Sequence, residues 1–248
     1  MEYKVLVLAG QSNCSGEAAI AGYSSGQLLK KSKTLIWYDS VLRKFEAGKN
    51  NRRRSFSEQK GGWEIELATQ IEANYNGRVI FLKFEEGATG VATEWNPSTT
   101  GWVASQLNQL LIGIADFELF FAENFPNDTF VYKALLWNQG EQDGANEANS
   151  LAYQTNCGNT WDSIKTALGT PTIPIYDWYI SNLATNAYKA NINSAKTALR
   201  ASYANGGVIY STNSGDGYAF QDPFHYDAAT YTLAGQRLFD DLILNGHL

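Results

Sequence analysis

Short apolar runs alternate with longer stretches of helical periodicity along almost the whole chain, and this alternation constrains its folding more than any single residue does. "YKVLVLA" at 3–9 is rich in Val and Leu and ends at Gly10, as expected of a strand buried on both faces that stops where a glycine permits a sharp turn. "KTLIWYD" (33–39), "RVIFLKF" (78–84), "FVYKALLW" (130–137), "IPIYDWYI" (173–180) and "GVIYST" (207–212) read as further strands. From Trp63, "WEIELATQIEAN" places apolar residues at 63, 65, 67, 68 and 71 and stops before Asn76-Gly77, a helical spacing. Residues 102–124, 147–168, 185–203 and 227–245 read as helices too. Alternation repeated five or six times predicts an open, mostly parallel sheet covered on both faces. With 248 residues, 44% of them apolar, and no internal repeat or long low-complexity linker, the chain is expected to form one domain over residues 1–248.

A formal net charge of −6 argues against nucleic acid as a general partner, because phosphate binding needs a basic field. The apolar run near the amino terminus is shorter than a secretory signal core, and no stretch approaches a membrane span, so a soluble chain without a membrane partner is expected. Compartment and oligomeric state stay open. Two cysteines, Cys14 and Cys157, are too few for a disulfide scaffold and leave a single bridge open. The 13% aromatic content suits an aromatic core, a sugar-binding cleft, or both.

In such sheets ligands bind beyond the carboxyl ends of strands, where strand order reverses. Gly10 to Ser15 and Asn138 to Asp143 lie at two of these ends. Ser12 in "LVLAGQSNCSG" is there either as a nucleophile or as part of a tight turn. A serine nucleophile needs a base, usually histidine, and the chain has His225 and the penultimate His247. In "FQDPFHYDAAT", Asp222 precedes His225 by three residues with Pro223 between, a rigid turn that can bring the carboxylate to Nδ1. The same segment also admits a plainer reading, in which Asp222 or Asp227 caps the last helix and His225 is a surface residue. "LLWNQGEQDG" delivers side-chain amides to the sheet edge, where a fixed N–H donor can stabilise an oxyanion.

Taken together and in this order, "GQSN", "WNQGEQD" and "DPFHYD" resemble the SGNH hydrolase superfamily, in particular its sialate O-acetylesterase and acetylxylan esterase branch, carbohydrate esterase family six. The resemblance implies a flavodoxin-like three-layer α/β/α sandwich with a mostly parallel five- or six-stranded sheet, and deacetylation of carbohydrates without a cofactor. By the family pattern Ser12 is the nucleophile, His225 the general base and Asp222 its orienting acid. The oxyanion hole is then expected from the Ser12 backbone, Gln139 and Gly62 of "KGGWEIELA". Three positions depart from the pattern: Cys14 stands where methionine is common, Trp63 where proline is, and "GATG" at 87–90 where relatives carry Gly-Gly-Thr-Ser. The substrate expected is acetylxylan, sialic acid or another acetylated glycan. Alternatives are a short-chain acyl lipase or thioesterase, and a non-catalytic glycan-binding module on the same fold.

Around this triad Asn13 and Glu141 are expected to support the site, Glu141 by bracing loops through hydrogen bonds. Glu141 and Asp143 with one usable histidine do not suggest zinc, so no metal is expected at the site, although loop-bound calcium stays open. Cys14 is either a buried small hydrophobe or a rival nucleophile. Arg52, Arg53 and Arg54 in "NNRRRSF" form a solvated loop or grip a sugar carboxylate, and Trp95 in "TEWNP" packs under its loop or stacks on a sugar ring.

Overall fold

A computed structural model describes residues 1–38, 40–47, 60–100, 105–203 and 207–248. In chain order the strands and helices are β1 (Glu2–Gly10), α1 (Ser12–Ser15), β2 (Ala18–Ala19), α2 (Ser25–Leu28), β3 (Thr34–Tyr38), β4 (Val41–Lys44), β5 (Lys60–Gly61), α3 (Trp63–Asn74), β6 (Arg78–Glu85), α4 (Gln106–Asn124), β7 (Thr129–Asn138), α5 (Glu147–Ala167), β8 (Ile175–Trp178), α6 (Lys189–Ser202), β9 (Ile209–Tyr210) and α7 (Ala228–Leu244). The main sheet has seven strands in the order β4-β3-β6-β1-β7-β8-β9. All neighbours run parallel except the β3–β4 pair. Without the β3–β4 hairpin the order is β6-β1-β7-β8-β9, the flavodoxin-like 2-1-3-4-5 arrangement. The sheet therefore exceeds the expected five or six strands by its antiparallel edge. That edge strand, "VLRK", is largely exposed and lacks the continuous apolar run that marks buried parallel strands.

Alternate side chains of each strand supply two cores. Val5, Val7 and Ala9 join Ile80, Leu82, Leu135 and Trp137 beneath α4, α5 and α6. Leu6 and Leu8 face the other way with Phe81, Leu136 and Tyr176, beneath α3 and α7. Cys14 belongs to the second core and Cys157 to the first, so the sheet lies between them and both are free thiols. Among the described residues no helix is long and apolar enough to cross a membrane.

From β1 the chain continues by crossovers to β6 on one side and then to β7 on the other, which makes the carboxyl end of β1 the point where strand order reverses. The turn there needs glycine. Gly10 has φ 149°, and an added Cβ would lie 2.0 Å from the Asn138 carbonyl oxygen. Gly10→Ala is expected to lower unfolding free energy by about 3 kcal/mol, through backbone strain and overpacking together. An unchanged urea midpoint would contradict this close approach.

Candidate active site

The β1–β7 ladder runs on past Gly10, where Gln11 N–H donates to Asn138 O at 2.9 Å. The chain then turns into α1, whose first residue is Ser12. Ser12 and His225 open onto one cavity of about 500 Å³, walled also by Gly87, Glu141, Asn186 and Phe224. The nucleophile and base expected from sequence thus line one cavity, although they are separated by most of the chain.

Asp222 completes the arrangement. Its Oδ2 lies 2.8 Å from His225 Nδ1, and its Oδ1 accepts from the backbone N–H groups of Phe224 at 2.8 Å and His225 at 2.9 Å. An ionised carboxylate only accepts, so Nδ1 carries the proton and Nε2 is the nitrogen left for a serine hydroxyl. Burial acts to raise the Asp222 carboxyl, but the His225 ring and these two N–H groups outweigh it and hold the group below the usual carboxylate range. The sign follows from linkage: a lowered folded-state value stabilises the turn above the unfolded value, and that stabilisation is lost as pH falls through the folded one. Of the two carboxylates considered for the cap of the last helix it is Asp227 that serves, its Oδ1 accepting from Thr230 N–H at 2.7 Å at the start of α7.

Two expected oxyanion donors lie elsewhere. Gly62 precedes α3 and packs behind the nucleophile turn, where an added Cβ would lie 2.9 Å from Gly16 Cα; its N–H donates to Glu64 Oε1 at 3.2 Å. Gln139 Nε2 is within bonding distance of Asp143 Oδ2 at 2.6 Å, Thr89 O at 3.0 Å and Gln11 Oε1 at 3.4 Å, and Gln139 does not line the cavity. Two N–H bonds are all an amide nitrogen has to give. A glycine beside Ser12 is Gly87, just past the carboxyl end of β6, where an added Cβ would meet Ser12 Cβ at 3.8 Å. It opens the "GATG" stretch, and the signal that points to it is the end of a strand adjacent to β1.

Asp143 shapes that stretch: its carboxylate accepts from Val91 and Ala92 N–H at 3.0 Å each as well as from Gln139. Ala88 takes φ 57°, the left-handed region, at the cavity wall. Trp95 is a core residue and not a sugar platform: it is fully buried, edge-on to Trp137 at 5.2 Å, with Nε1 donating to Thr89 Oγ1 at 2.9 Å. Among the described residues an exposed ring at the cavity is Phe224, for which the sequence carries no signal beyond its place beside His225. Cys14 is fully buried, and burial pushes its thiol well above its ordinary value, which removes it as a rival nucleophile. Arg52, Arg53 and Arg54 lie outside the described residues.

A mostly parallel sheet sandwiched between helices, with a serine turn at the end of β1, is the fold of the SGNH hydrolases. The chain belongs to the family described as carbohydrate esterase, sialic acid-specific acetylesterase, whose sequence pattern matches residues 2–244. Among curated protein sequences none matches the chain. Its fold is similar to that of an Arabidopsis thaliana protein, with a TM-score of 0.76 at 16% identity over 98% of each chain. It is similar also to NanS, with a TM-score of 0.65 at 11% identity over 98% of this chain and 97% of that one. A carbohydrate acetylesterase from Xanthomonas citri gives 0.62 at 12% identity, over 96% of this chain and 55% of that one. At such identities the likeness is one of fold.

Proposed function

We propose that the protein is a serine esterase that removes O-acetyl groups from a carbohydrate. The observation that carries this reading is the Asp222–His225 pair, 2.8 Å apart, opening on the cavity that also holds Ser12, in a chain of the acetylesterase family. His225 Nε2 takes the proton of Ser12 Oγ as the oxygen bonds the acetyl carbon, and the carbonyl electron pair moves onto oxygen. Collapse of the tetrahedral intermediate expels the sugar oxygen, which takes the proton back from His225. Water then attacks the acetyl-serine with the same base, and acetate leaves.

The negative oxygen needs donors, and the best placed are the backbone N–H groups of Ser12 and Gly87. Neither has an acceptor among the described residues. Ser12 keeps its expected place in the hole, and Gly87 takes the place expected for Gly62 and Gln139. Phe224 offers an apolar face to a sugar ring beside the base.

Acetate release from acetylated xylan and from O-acetylated sialic acid, alongside 4-nitrophenyl esters of increasing chain length, tests the proposal. Acetyl esters are expected to be turned over fastest, with a fluorophosphonate adduct on Ser12. Preference for long acyl chains would turn the assignment to a lipase, and an inert Ser12 with no acetate released would end the esterase reading.

A further inference from the structure

We infer that Asn13 is the positioning residue that sets the approach of Ser12 to His225. The inference rests on the esterase reading above. The Asn13 carboxamide is buried, and both of its N–H donors and one lone pair of its oxygen are spent on distant segments. Its Nδ2 donates to Glu141 Oε1 at 2.6 Å and to Phe224 O at 3.1 Å, and its Oδ1 accepts from Tyr231 O–H at 2.9 Å. Those partners stand on the loop after β7, on the turn that carries Asp222 and His225, and on α7.

Covalent connectivity makes the middle bond the important one. Asn13 follows Ser12 directly and Phe224 precedes His225 directly, so a single hydrogen bond closes the path between nucleophile and base. Asp222 orients the imidazole within its own turn but does not tie that turn to α1. A further side-chain tie from the turn to this region is the exposed Gln221 Nε2 to Glu17 O at 2.8 Å, a surface bond open to competition by water. The buried amide is in turn held by Glu141 and Tyr231.

Only an uncharged carboxamide meets all three demands, since the position requires two N–H donors and one acceptor. An ionised aspartate there would turn oxygen toward both the Glu141 carboxylate and the Phe224 carbonyl. The nucleophile and base would separate, and misplacement near 1 Å is enough to cost ~100-fold in turnover.

The test uses the purified full chain, 4-nitrophenyl acetate and a fluorophosphonate probe. Asn13→Asp is expected to lower both kcat and the rate of Ser12 labelling by about 100-fold, with KM within about threefold of the original, because substrate contacts are untouched while the reacting pair is displaced. Glu141→Gln keeps an acceptor for the Asn13 amide and should turn over about tenfold faster than Glu141→Leu, which keeps none; this pair decides the matter if Asn13→Asp does not fold. The inference is overturned by an Asn13→Asp enzyme whose kcat stays within about threefold of the parent, or by equal rates for the two Glu141 variants. A parent protein that neither hydrolyses the ester nor takes up the probe removes the esterase reading instead.

Discussion

Ser12→Ala is expected to lower kcat for acetyl esters by ~10⁴-fold or more while leaving the melting temperature and KM nearly unchanged. The size follows from the chemistry, because without Oγ there is no acyl-enzyme and only the oxyanion donors and binding remain to act on water. Stability is spared because the Ser12 hydroxyl holds no hydrogen bond among the described residues and Cβ stays in place beside Gly87. Initial rates with 4-nitrophenyl acetate and a thermal melt of the same sample check both halves. His225→Ala is expected to behave alike, and full activity in either variant would remove the triad mechanism. A third outcome, an inactive and unfolded Ser12→Ala, would place the serine in the fold and not in the chemistry.

The largest stability effect is expected on the opposite side of the site loop, at Lys196. Its Nζ lies 2.6 Å from Asp177 Oδ1, and both side chains are 1% exposed or less. The pair pins α6 to β8, and Lys196 Cε packs close under Gly140 of the loop that carries Glu141, where an added Cβ would lie 3.3 Å from it. Burial raises the Asp177 carboxyl to about 6 even though Lys196 draws it down. Lys196→Met leaves that carboxylate buried and unpaired, at a cost of about 3–5 kcal/mol.

The pH dependence of this loss has a definite sign. A carboxyl whose folded value is raised binds its proton more readily in the native state, so its penalty is full above the folded value and fades as pH falls toward the unfolded one. Removing Lys196 raises the folded value further, because the attraction that lowered it is gone. Urea unfolding should therefore show a larger loss at neutral pH than near pH 5, and adding Asp177→Asn to the lysine variant should recover most of it. A loss below about 1 kcal/mol at neutral pH would show that the pair contributes little to holding α6. Asp222 has the opposite sign, its carboxyl being lowered, so acid weakens the Asp222–His225 turn only below the unfolded carboxylate value, at lower pH than the range in which it relieves Asp177.

Elements buried on both faces were legible from the chain itself. A strand between two helical layers must be apolar at nearly every position, and 3–9, 78–84 and 130–137 fall within observed strands of 2–10, 78–85 and 129–138. The same logic misses β4, whose exposed Arg43 and Lys44 carry no such signal. The serine, the histidine and the aspartate of the proposed triad could be singled out because few residue types suit such roles and the histidines were two. Gly87 was not, since nothing local separates a glycine that faces a nucleophile from one that only lets a turn close. Trp95 shows the same gap from the other side, a ring in a polar segment that folds inward onto Trp137.

The amino-acid order by itself determined the layered sheet, the sharp turn after β1 and the Asp222–His225 partnership, because each depends on residues close in sequence acting through periodicity, backbone freedom or a three-residue reach. Tertiary structure alone decided which glycine stands next to Ser12, which aromatic ring meets the cavity, and that the Asn13 amide spans three distant segments. Those relations depend on strand order, with β6 and β7 flanking β1, and contacts between elements are set by how crossovers pack and not by any pattern within a single element.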